Sequence, residues 1–124
     1  RGLVGSEMCI RDSQEVLINI ADSGSISSSV QDRPALTISG TYPNGITIEN
    51  NGSIIGANAF VKTDGTYVSP GTAIKVSTDC VINNNITGII NGGSSLAAGV
   101  DDGFGIDGID FVTLTDNGTI NSTN

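Results

Sequence analysis

One short pattern recurs four times and limits what this chain can become. It is clearest at Ile46–Gly56, ITIENNGSIIG, where alternating apolar residues run into an Asn-Asn-Gly corner and then a second short apolar run. Relatives of it are Val16–Ser29 (VLINIADSGSISSS), Val81–Ile90 (VINNNITGII) and Val112–Thr123 (VTLTDNGTINST). Gly24, Gly52, Asn85 and Gly118 take matching places in the corners, about 28, 33 and 33 residues apart. Aligned this way, the third copy is one residue short and puts Asn where the others have Gly. Asn tolerates a left-handed backbone better than most residues, so it is expected to make the same bend.

Between the copies lies a weaker alternating signal at Ala35–Ser39, Thr72–Ser77 and Gly105–Phe111. The unit is therefore corner motif, variable loop, strand, then the next corner. The variable loops are Ala57–Pro70 and Asn91–Gly103. A unit of this size cannot bury its own apolar face, and stacking removes the problem. The expectation is an all-β, right-handed parallel β-helix of about three to four coils. Ile20, Ile48, Ile82 and Leu114 are expected to form one ladder, and Ile26, Ile54, Ile86 and Ile120 a second. Asn50, Asn83 and Asp116 are placed to align at the corner, where stacked amides pass hydrogen bonds from coil to coil or simply face solvent. A β-sandwich is the competing architecture, since short strands with regular turns suit it as well. Helix is excluded by the density of Gly, Asn and β-branched residues.

Composition supports thin, repetitive layers. Seventeen Gly, no Trp, two Tyr and three Phe leave Ile and Val to fill the core. Arg1–Ser13 (RGLVGSEMCIRDS) stands apart: it holds the only Met and lacks the repeat. It resembles translated sequencing-adapter read-through, with a native N-terminal cap or linker as the alternative, and the chain is expected to divide into a non-native leader, 1–13, and a β-helix repeat fragment, 14–124.

The net charge of −8 and five Lys plus Arg exclude a phosphate-binding face, hence nucleic acid and anionic lipid. No apolar run is long enough to span a bilayer. The chain has no His, the commonest general base. Cys80 precedes an apolar strand and reads as a buried thiol with no base to activate it. Asn85-Ile86-Thr87 and Asn121-Ser122-Thr123 match the glycosylation sequon, as expected by chance in so Asn-rich a chain.

Asp102–Asp110, DGFGIDGID, partly matches the calcium nonapeptide, with Gly103, Gly105, Asp107 and Ile109 in register. Asp102, Asp107 and Asp110 are the candidate calcium ligands, because hard cations take carboxylate and carbonyl oxygens. Such a site draws half its ligands from a tandem copy, and only one copy is present. No other cofactor is indicated. Glu49 and Asp116, at similar corners, are the nearest approach to the carboxylate pair of a glycoside-cleaving β-helix, but two coils separate them, and the chain is expected not to be an enzyme.

The pattern I-x-N-x-G-x-I-x-G followed by a G-x-A-I strand, carried by Ile48–Gly56 with Gly71–Val76 and again by Leu114–Ile120, resembles the passenger region of bacterial autotransporter adhesins. That resemblance implies a structural or adhesive segment, secreted or displayed at the bacterial outer surface. It implies partners among host-cell or surface glycans and proteins, and flanking coils of the same chain. A calcium-dependent β-roll module and a carbohydrate-active β-helix are the alternatives.

Overall fold

A computed structural model describes residues 15–96 and 101–124. They wind into a three-sided parallel β-solenoid of three coils and the start of a fourth. Coil 1 contains β1 (Val16–Ile20), β2 (Ser25–Ser27) and β3 (Leu36–Ile38). Coil 2 contains β4 (Ile46–Asn50), β5 (Ser53–Ile55), a hairpin of β6 (Phe60–Val61) and β7 (Tyr67–Val68), and β8 (Ile74–Val76). Coil 3 contains β9 (Cys80–Asn84), β10 (Ile89–Asn91) and β11 (Ile106–Asp107). After a 3₁₀ turn at Ile109–Phe111, coil 4 adds β12 (Val112–Asp116) and β13 (Thr119–Ile120). The first sheet is ordered β1-β4-β9-β12, the second β2-β5-β10-β13 and the third β3-β8-β11, and all their pairings are parallel. This is the β-helix expected from the repeat; among the described residues the three main sheets are parallel, unlike the sheets of an antiparallel sandwich. The segment 1–13 lies outside the described residues, as does Cys9.

Strand alternation sets the core. In the first sheet, inward residues alternate with outward ones, so β4 and β9 each show buried Ile at their centres. Ile18, Ile48, Ile82 and Leu114 stack as one column, and Ile26, Ile54, Ile90 and Ile120 as another. Both differ from the expected ladders. Ile18, not Ile20, stands below Ile48, and Ile90 replaces Ile86, which is 83% exposed. The cause is corner length. Coils 1 and 3 turn through four residues, Ala21–Gly24 and Asn85–Gly88, whereas coils 2 and 4 turn through two, Asn51-Gly52 and Asn117-Gly118. Aligning Gly24 with Gly52 as if the corners were equal slips the first strand by two residues, and aligning Asn85 with Gly52 puts Ile86 where Ile90, four residues on, belongs.

The same difference corrects the third corner. It is longer than its neighbour, its glycine is Gly88, and Asn85 opens a turn closed by the Gly88 amide donating to the Asn85 carbonyl (2.8 Å). No non-glycine residue among those described has a positive φ, so Asn85 is not left-handed. The corner glycines serve close approach instead. A Cβ on Gly52 would sit 2.2 Å from the carbonyl oxygen of Gly24, and one on Gly118 2.3 Å from that of Gly88.

The expected amide stack exists with one substitution, Asn84 for Asn83. Ile20, Asn50, Asn84 and Asp116 share a register position. Asn50 and Asn84 are fully buried. The Asn50 amide donates to Asn84 Oδ1 (2.9 Å), and that of Asn84 to Asp116 Oδ1 (3.0 Å). Asn50 Oδ1 and Asp116 Oδ1 also accept from the Gly52 and Gly118 amides. These bonds satisfy groups that would each cost about 1–3 kcal/mol if buried unpaired. Asn83 points outward, where it and Asn85 both donate to the Glu49 carboxylate.

Candidate functional site

The corner between the second and third sheets is built differently. There the chain leaves the solenoid twice and returns. The Gly71 amide donates to the Ala57 carbonyl (2.8 Å), closing the base of the first loop. The Gly103 amide donates to Gly93 (2.8 Å), closing the second. The Gly93 amide donates to Gly71 (2.9 Å) and joins the two bases. A Cβ on Gly93 would lie 1.7 Å from the Ala57 oxygen, and one on Gly103 2.0 Å from that of Gly71. Only glycine lets the two loop bases approach this closely. Residues 97–100 of the second loop lie outside those described.

The first loop carries the β6–β7 hairpin. Antiparallel pairing matches Phe60 with Val68 and Val61 with Tyr67. Its turn is set by the Gly65 amide donating to the Lys62 carbonyl and the Thr66 amide donating to the Asp64 carboxylate (2.9 Å each). Thr66, through its side chain and then its amide, holds the Asp64 carboxyl below the ordinary range.

Asn58 ties this hairpin to both neighbouring loops. Its carbonyl accepts from Gln31 Nε2 of coil 1 (2.7 Å), and its Oδ1 accepts from the Ser94 amide of coil 3 (2.9 Å). The Ala59 amide donates to the Ser94 carbonyl as well. Three loops thus form one continuous surface. Val30, Phe60, Val61, Tyr67, Leu96 and Phe104 are all exposed on or beside them. Two adjoining grooves of about 590 Å³ each share Val30, Gln31 and Phe60; Lys62, Val68 and Pro70 extend one, and Ser28 and Asn58 the other.

The acidic candidates are dispersed. Asp102 accepts from the Ser95 amide (2.8 Å), and Asp107 of β11 accepts from Asn124 Nδ2 (3.0 Å). Asp110 is exposed in the 3₁₀ turn and lines a groove of about 500 Å³ on the opposite side of the coil, with Glu15 and Asp79. Among the described residues, no group of three or more His, Cys, Asp or Glu is arranged to hold a metal ion. Glu49 and Asp116 are not brought together: Glu49 faces outward beside Asn83, and Asp116 ends the amide stack. Cys80 is buried in the core column of Val16, Ile46 and Val112. Burial first, then the neighbouring Asp79 charge, pushes its thiol up to about 11, so it is protonated at neutral pH.

The sequence marked the loop Ala57–Pro70 but not Asn58, Gln31 or the hairpin inside it. The available signal was the placement of aromatics: Phe60, Tyr67 and Phe104 are three of only five in the chain.

Among the described residues, no helix is long and apolar enough to cross a membrane. No curated protein and no solved structure matches the chain. Residues 4–120 match the family of the phage tail fibre adhesin Gp38. The match covers nearly the whole chain, which belongs to that family.

Proposed function

We propose that this chain is an extracellular adhesive module of a phage tail fibre, with the solenoid as a rigid support and the loop corner as the surface that touches a receptor on a cell. One observation carries the reading: exposed large apolar side chains concentrate on that corner, around Phe60 and Tyr67. Exposed aromatics backed by packed structure are the usual anchors of a recognition surface. The grooves beside them offer Gln31 and Ser28 for polar contacts. A cell-surface glycan or protein suits this mixture. An exported bacterial passenger would use the same solenoid, but the family match favours the tail fibre. The role is adhesive rather than catalytic, in keeping with a protonated, buried Cys80 and separated Glu49 and Asp116. Nothing in this reading calls for calcium.

The test is adhesion of labelled protein to a panel of bacterial cells. The double variant Phe60→Ala, Tyr67→Ala is expected to lose at least tenfold in adhesion with its melting temperature within a few degrees. Ile86→Ser, on the opposite corner, is expected to change nothing. Equal adhesion by all three proteins would contradict the assignment.

A further inference from the structure

The chain holds four Asn-Gly pairs: Asn44-Gly45, Asn51-Gly52, Asn91-Gly92 and Asn117-Gly118. Such a pair carries a reaction of its own. The glycine nitrogen attacks the Asn side-chain carbon, because a residue without Cβ lets the main chain fold back on it. The N–Cγ bond forms, the Cγ–Nδ2 bond breaks, and ammonia leaves with the proton of the glycine amide. Water then opens the resulting succinimide to aspartate or isoaspartate. A fold slows this in two ways: it engages the glycine N–H elsewhere, and it leaves the chain no room to turn.

Three of the pairs meet both obstacles. The Gly52 amide donates to Asn50 Oδ1 (3.2 Å), that of Gly92 to Asn121 Oδ1 (3.0 Å) and that of Gly118 to Asp116 Oδ1 (3.1 Å). Each accepting side chain is itself held, Asn50 and Asp116 by Asn84, and Asn121 by the Gly103 carbonyl. A Cβ on Gly52, Gly92 or Gly118 would lie 2.2, 2.0 or 2.3 Å from a neighbouring main-chain atom, so the backbone there cannot swing. Asn44-Gly45 is placed differently. Both residues are exposed, in a turn where the Gly45 amide donates to the Tyr42 carbonyl (2.9 Å). A Cβ on Gly45 would meet nothing within 4 Å. A turn bond in such a place opens without moving a strand.

We propose that Asn44 is a site of spontaneous deamidation, and that Asn50, Asn121 and Asp116 keep the other three Asn-Gly pairs from the same reaction. The side chains at the corners thus protect the chain chemically as well as fixing its register. At Asn44 the product matters for the frame. Isoaspartate lengthens the main chain by one carbon, directly before the Gly45 carbonyl that accepts from the Val16 amide (3.0 Å) and ties coil 2 to coil 1. Either product also adds a carboxylate to the groove lined by Glu15, Asp79 and Asp110.

The test ages the full chain in mildly alkaline buffer, native and in concentrated urea, and reads deamidation at each pair by peptide mapping and mass spectrometry. In the native chain Asn44 is expected to react about tenfold or more faster than Asn51, Asn91 and Asn117, and in urea all four are expected to react at similar rates. Asn121→Ala is expected to raise the native rate at Asn91 about fivefold or more with Asn44 unchanged. Asn121→Asp, which keeps an acceptor for the Gly92 amide, is expected to leave Asn91 slow. Asn51, Asn91 or Asn117 reacting as fast as Asn44 in the native chain would overturn the proposal. So would Asn91 staying slow in Asn121→Ala. An unfolded Asn121→Ala would show the urea rates at all four pairs, and the native comparison then decides alone.

Discussion

Two of the solenoid's three corners solve the same problem by opposite means. Between the first and second sheets, polar side chains turn inward, and Asn50 and Asn84 carry hydrogen bonds up the stack. Corner length there alternates between four residues and two, and the longer corners reach across the shorter. Thr87 of coil 3 donates to Asp22 of coil 1 (2.8 Å) and sits against the Asn51 carbonyl of coil 2 (2.7 Å). Between the second and third sheets, side chains are removed instead. Gly71, Gly93 and Gly103 bring backbone against backbone, and everything beyond their hydrogen bonds is free to vary. A side-chain stack fixes register, because each amide must find its neighbour. A glycine stack fixes only the loop bases. The first corner therefore suits a frame and the second suits a variable surface.

The largest effect should come from breaking the glycine stack. Gly93→Ala would drive a Cβ into the Ala57 carbonyl, with backbone on both sides, and is expected to cost more than about 4 kcal/mol or prevent folding. Gly65→Ala in the hairpin turn meets open space but keeps a left-handed φ of 87°, and is expected to cost about 1–2 kcal/mol. Chemical denaturation of both separates crowding from conformation. If the two cost the same, close approach is not what the loop bases need.

Breaking the side-chain stack should come next. Asn84 Nδ2 donates to Asp116 and lies near the Gly88 and Thr119 carbonyls, and its Oδ1 accepts from Asn50. Asn84→Ala is expected to lose about 2–4 kcal/mol, because several buried groups lose their partner at once. Asn83→Ala, which removes only an outward contact to Glu49, is expected to lose less than about 1 kcal/mol. Equal losses in urea melts would mean that the inward amides do not hold the corner.

A smaller effect tests the core column at the other end of the first sheet's strands. The Cys80 thiol ionises at about 11 in the fold against an ordinary 9.0. The folded state holds its proton more tightly, so this contribution is complete below pH 9 and is lost as pH rises towards 11. Relative to Cys80→Val, the wild type is expected to lose about 2–3 kcal/mol across that window. Parallel stability curves for the two proteins would place Cys80 outside the core. The smallest effect is expected at the surface bridge: Thr87→Val should cost about 1 kcal/mol or less in thermal melts.

Much of the frame was legible in the sequence, because the chain repeats it. Strand alternation and the Asn-Gly corners of coils 2 and 4 gave the solenoid and, in Asn50 and Asp116, two members of the amide stack. Corner length was not legible. ADSG and NITG read like variants of NG, and only the hydrogen bonds from the Gly24 amide to Ala21 and from the Gly88 amide to Asn85 show that they are complete turns between strands. That error moved Ile18, Ile90 and Asn84 out of their columns. Gly105–Phe111 read as one strand, yet only Ile106–Asp107 is extended, because Gly108 adopts a φ of 104° and leads into the 3₁₀ turn. The surface was legible only as silence in the repeat. What joins its loops is Asn58, a single polar residue with no partner near in sequence, and such contacts leave no periodic trace.

Native-state hydrogen exchange tests the division of labour most directly. The amides of Gly71, Gly93 and Gly103 are predicted to exchange only with global unfolding, at the rate of Asn51 and Asn85 in the opposite corner, while Lys62 and Gly65 of the hairpin turn exchange far faster. Fast exchange of Gly71, Gly93 and Gly103 together with the hairpin would show that the loop bases move with the loops, and would contradict the account of a variable surface held on a fixed frame.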